Sequence, residues 1–187
     1  MKPSTQARHS KTSGASGRLG FSLIEVVVAM AVLTVSALAM SATLASTHAL
    51  ENSNRSRRSA ENALRSVGEQ ILAFSDGARD DPAGWSAVVA AALAPGGAIG
   101  NTFNVRGLTL PAGVQAAGSI QLIVDETVAD AVLGVKLGMP RDLNGDGVAL
   151  DANVTASAVL LPVVVQINWF GATGAQTVSQ AFFLLGY

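Results

Sequence analysis

The chain has 187 residues, room for one modest domain with appendages, and its 12 Lys+Arg nearly balance its 13 Asp+Glu. Only 13% of residues are charged while 49% are hydrophobic, a low charge for an ordinary soluble surface. Cysteine is absent, which excludes disulfides, thiolate metal sites and a cysteine-linked lipid anchor.

Residues 1–20 form a basic leader rich in Ser, Thr and Gly, a composition that cannot bury a core. Its Lys2, Arg8, Lys11 and Arg18 precede the first acid of the chain, Glu25. Beyond the leader eight basic residues face thirteen acids, a net charge of −5. That balance argues against general binding of a phosphate backbone, so no nucleic-acid partner is expected.

The second element, 21–50, is an apolar run. From Val26 to Leu50 there is no formal charge, and Phe21–Ala45 exceeds the roughly 20 apolar residues a spanning helix needs. Four basic residues before it and Glu51 after it orient the N-terminus to the cytoplasm and the remainder to the far side. The pattern then changes without a breaker. Ala60, Leu64, Val67, Ile71 and Phe74 recur at helical spacing, which predicts one continuous helix from about Phe21 to about Phe74. At 1.5 Å per residue that is roughly 80 Å. Its second part, 51–75, is amphipathic, and Asp76-Gly77 and Asp81-Pro82 stop it.

Residues 76–187 read as a globular head. A short helix is expected at Ser86–Leu93, a weak strand at Asn104–Leu110 and a better one at Ser119–Val124. Leu160–Phe170 alternates, with Val163, Val165, Ile167 and Trp169 on one face. Gly171–Gly174 turns the chain, and Gln176–Leu185 returns as the partner strand of a hairpin.

Three readings compete for the N-terminal stretch. A secretory signal would have an apolar core of about 7–15 residues and a small-x-small cut, for which Ala37-Leu38-Ala39 could stand. The apolar block is too long for it. A plain anchor fits length and orientation, but gives no reason for Glu25 inside the run or for Gly20 immediately before Phe21. The third reading takes Gly20-Phe21-Ser22-Leu23-Ile24-Glu25 and the unbroken apolar run behind it as a processing and assembly signal. This stretch resembles the N-terminus of type IV prepilins and of the pseudopilins of type II secretion systems.

The resemblance implies that a prepilin peptidase cuts after Gly20. Phe21 then becomes the N-methylated mature end, and Glu25 matches the glutamate used in assembly. It implies a structural subunit with other pilin or pseudopilin subunits as partners, held in the inner membrane before joining a type IV pilus or a secretion pseudopilus. A minor subunit is the expected role. It further implies an α+β fold, a long N-terminal helix on a small C-terminal antiparallel sheet. The physical logic agrees: the cut creates an ammonium at the edge of the apolar core, and Glu25 lies four residues along the same helix face. The alternative from another class is an uncleaved, singly anchored periplasmic binding or adhesin module.

In the head, Asp142-Leu-Asn144-Gly-Asp146-Gly-Val148 places oxygen ligands at alternate positions and a glycine where the chain must turn sharply, as calcium loops do. Asp142, Asn144, Asp146, the Val148 carbonyl and Asp151 are the candidate ligands. Asn153 occupies the position where a bidentate acid closes an EF-hand loop, and no helix pair flanks the segment. The competing reading is an exposed turn rich in Asx and Gly. No enzyme is expected. His9 lies in the leader and His48 beside the apolar run, which leaves no histidine base for a serine nucleophile in the head.

Overall fold

The structure is a computed structural model that describes residues 22–172 and 174–186. The chain divides into two compact units, Met1–Ala45 and Ser46–Tyr187.

Helix α1 spans Leu23–Gly77. Ser22 starts it: the Glu25 amide donates to Ser22 Oγ at 3.3 Å and to Ser22 O at 3.0 Å. A serine cap satisfies amides that an opening helix turn leaves without partners. Within the first unit the apolar side chains are exposed, and the helix is long and apolar enough to cross a membrane. Its hydroxyls bond to the carbonyl one turn back: Thr34 to Ala31, Ser41 to Ala37 and Thr43 to Ala39, at 2.8 to 3.0 Å. Polar side chains that close onto their own helix suit a segment facing hydrocarbon.

In the second unit, the later turns of α1 bury Ala60, Leu64, Gly68, Ile71 and Ser75. Val67 and Phe74, expected in the same stripe, are half-buried and pack against the core from its flank. Gly68 completes the stripe because the Phe182 ring lies 3.7 Å from where a β-carbon would stand. Helix α1 runs three residues past the expected end at Phe74 and is then latched. The Trp85 indole Nε1, at the start of α2 (Trp85–Leu93), donates to Ser75 O at 3.1 Å and Ser75 Oγ at 3.0 Å.

The strands are β1 (Thr102–Phe103), β2 (Gly118–Leu122), β3 (Leu160–Gly171) and β4 (Gly174–Leu185), with a short helix α3 (Asp130–Leu133) between β2 and β3. They form one antiparallel sheet in the order β1-β2-β3-β4. The hairpin of β3 and β4 is the one the alternation predicts, paired from Leu160↔Leu185 to Gly171↔Gly174. Val163, Val165, Ile167 and Trp169 are all buried, in one core with Ala60, Leu64 and Ile71 of α1. The fold is α+β, with the long helix against a small antiparallel sheet.

The expected strand at Asn104–Leu110 does not form. The first strand ends at Phe103, and a turn at Arg106-Gly107 breaks the extended run, with Gly107 at φ 82°. Only Thr109 of this segment reaches the sheet, its carbonyl accepting from the Phe170 amide at 2.7 Å. The 37 residues between β2 and β3 wrap over the opposite end of the hairpin. There Arg141 stacks 5.3 Å from the Phe183 ring centroid.

Candidate functional site

Two regions carry the residues singled out by the sequence. In the first, Gly20 and Phe21 lie outside the described residues. Glu25 is on the first turn of α1, one turn from the Ser22 cap. A carboxylate there faces the positive end of the helix dipole, a favourable placement of about 0.3–1 kcal/mol at an exposed site. Ser22-Leu-Ile-Glu25 also has the spacing of a capping box, a helix-start signal legible in the sequence. Capping accounts for an acid in the first turn. It does not account for placing one inside a lipid-length apolar run, which remains costly without a partner.

The second region is the loop Asp142–Asp151. Asp142 shapes its first half: Oδ1 accepts from the Gly145 amide at 2.6 Å and Oδ2 from the Gly147 amide at 2.7 Å. Gly145 and Gly147 take φ values of 82° and 90°, left-handed conformations that an L side chain would strain. Asn144 Oδ1 accepts from the Asp146 amide, and Asp146 Oδ1 from the Val148 amide, at 2.9 and 2.8 Å. The Asn144 Nδ2 then bridges to Asp146 Oδ2 at 3.3 Å and Asp151 Oδ2 at 2.9 Å. The loop thus brings Asn144, Asp146 and Asp151 together, while both oxygens of Asp142 serve backbone amides. Among the described residues no group of three or more His, Cys, Asp or Glu side chains is assembled to hold a metal.

The hydrogen bond from the Gly147 amide is the largest influence on the Asp142 carboxyl and helps hold its pKa below the ordinary carboxylate value. Asp130 behaves similarly: amides of Met139, Leu137 and Gly138 converge on its carboxylate at 3.0 Å, and Met139 lowers its pKa most. Both groups stabilise the charged form through peptide dipoles.

One residue escaped the sequence reading. Glu126 is completely buried, and its carboxylate anchors the loop from beneath. Oε1 accepts from the Leu143 amide at 2.7 Å and the Asn144 amide at 3.2 Å, and Oε2 from the Asp151 amide at 3.3 Å. Its backbone joins in, with its amide donating to Asp151 O at 3.0 Å and its carbonyl accepting from the Arg141 amide at 3.3 Å. Both ends of the acidic loop are therefore tied to one buried side chain. Nothing in Val124-Asp125-Glu126-Thr127 distinguishes this acid from a solvated one, because its partners lie 17 to 25 residues away.

Comparison with known proteins adds one match. A family model, the prokaryotic N-terminal methylation motif, matches residues 16–41. The chain therefore carries the type IV prepilin and pseudopilin signal, and that match contains Gly20, Phe21 and Glu25. No curated protein and no solved structure matches the chain. The motif, the fold and a helix long and apolar enough to cross a membrane together support a pilin-type structural subunit.

Proposed function

We propose that this chain is a minor subunit cleaved after Gly20, methylated at Phe21 and assembled into a type IV pilus or a type II secretion pseudopilus. The observation that carries the reading is the methylation motif over residues 16–41, which meets the capped start of a membrane-length helix at Ser22. Before assembly, the leader stays on the cytoplasmic side of the inner membrane, where the peptidase acts, and the head lies in the periplasm. The four basic residues of the leader support that orientation. Fibres sheared from cells that make the whole assembly machine should contain the processed chain. A fully processed chain found only in the membrane fraction would contradict the assembly role.

The loop Asp142–Asp151 is proposed as a calcium site that staples a head without disulfides. Its support is the Asn144 amide, which holds the Asp146 and Asp151 carboxylates within one hydrogen bond of a common atom. Asp146, Asp151 and the Asn144 side chain would hold the cation. Repulsion among carboxylates is then exchanged for attraction to the ion. Calcium should raise the melting temperature of the full chain in detergent, and chelator should reverse the rise. Identical melting in both conditions removes the metal from the account.

A further inference from the structure

Three arginines, Arg55, Arg57 and Arg58, follow the uncharged run that ends at Leu50. All three are exposed on α1. The function proposed above puts them on the periplasmic side, against the usual bias of Lys and Arg toward cytoplasmic segments. Arg57 is answered within the helix, its Nε donating to Glu61 Oε1 at 2.8 Å. Arg55 and Arg58 are not: among the described residues neither makes an ion pair.

Helix geometry keeps the head from answering them. At about 100° per residue, Ala60, Leu64 and Ile71, buried in the core, point within about 40° of one another. Arg55 and Arg58 lie on the opposite side of the helix. Three residues apart, they are neighbours there. A hollow on that side is lined by both arginines with Glu51, Asn54, Ser59 and Asn62. The acid among them, Glu51, turns to His48, its Oε2 lying 3.8 Å from the imidazole Nδ1.

Depth selects the ligand. Arg55 and Arg58 stand about 7.5 and 12 Å past Leu50 along the axis, at 1.5 Å per residue. The polar layer of a bilayer is roughly 5–8 Å thick on each side, and long arginine side chains reach back into it. A guanidinium there meets phosphate, which its paired N–H donors fit. We propose that Arg55 and Arg58 together bind the phosphate of an anionic phospholipid in the periplasmic leaflet of the inner membrane. The proposal rests on the membrane-spanning reading of α1, not on cleavage or fibre assembly.

The test reconstitutes the full chain into vesicles of equal phosphatidylglycerol and phosphatidylcholine, extracts it in mild detergent and counts the lipids retained per chain. Phosphatidylglycerol should be in excess, and Arg55→Gln with Arg58→Gln should cut that excess at least about fivefold, the worth of one cation near a membrane surface. Raised salt should cut it too. The leader's cations are common to every variant. Arg57→Gln, whose guanidinium already serves Glu61, and Arg65→Gln, about 10 Å beyond Arg58, should each change it less than twofold. All four positions are exposed, so circular dichroism should be unchanged. An excess that survives the double substitution overturns the proposal, as does an equal loss in Arg57→Gln or Arg65→Gln. Self-association that the double substitution abolishes while lipid retention stays the same also overturns it, assigning the arginines to a second copy. Alkaline extraction of the vesicles separates the two levels. A chain released by alkali contradicts the spanning reading and the lipid site together, whereas an embedded chain without lipid preference contradicts the lipid site alone.

Discussion

Replacing Glu25 by alanine is expected to leave membrane insertion and cleavage intact while reducing incorporation into fibres by a hundredfold or more. The magnitude follows from what remains. On the proposed function, removal of the leader brings the amine of Phe21 into an apolar helix bundle. An ammonium left there without its carboxylate costs roughly 3–5 kcal/mol, the penalty for breaking a buried pair. The capping role of Glu25 is too small to produce that effect, since a first-turn acid contributes about 0.3–1 kcal/mol. Glu25→Gln separates the two contributions, because it keeps a polar group near Ser22 and removes the charge. It should assemble as poorly as the alanine variant. Normal assembly of the glutamine variant would show that the carboxylate acts as a helix cap and nothing more.

Glu126→Ala should destabilise the head by roughly 3 kcal/mol or more. Three backbone amides lose their acceptor, that of Leu143 in a buried site and those of Asn144 and Asp151 in partly buried ones, and a cavity the size of the side chain remains. Against a total stability of about 5–15 kcal/mol for a domain, that loss detaches the acidic loop and weakens the sheet beneath it. Glu126→Gln keeps one acceptor oxygen but turns an NH₂ toward a backbone N–H, so its cost should be smaller and still measurable. Urea unfolding of the full chain in detergent, followed by circular dichroism, reads both. A loss below about 1 kcal/mol for the alanine variant would show that the loop does not depend on its buried anchor.

How far the sequence could be read depended on how local the physics was. The helix, its amphipathic second part and the hairpin of β3 and β4 rest on periodicity and on turn residues within a few positions, and the structure repeats them. The motif around Glu25 could be read because its residues are neighbours along the chain, and the methylation motif matches there. Two features could not. The strand expected at Asn104–Leu110 has suitable residues, but Gly107 adopts a left-handed turn there and pairing passes to Thr102–Phe103. Glu126 is buried only because Leu143, Asn144 and Asp151 return to cover it. The acidic loop falls between these cases: alternating Asp and Asn announced it, and the structure gathers Asn144, Asp146 and Asp151 while Asp142 turns to the backbone.

The proposed cut between Gly20 and Phe21 is central to the function, and the mass of the mature N-terminus tests it most directly. Chain recovered from cells that contain the prepilin peptidase should yield an N-terminal peptide that begins at Phe21 and carries one methyl group on its amine. A chain that still begins at Met1, or one that begins near Met40, would contradict the account.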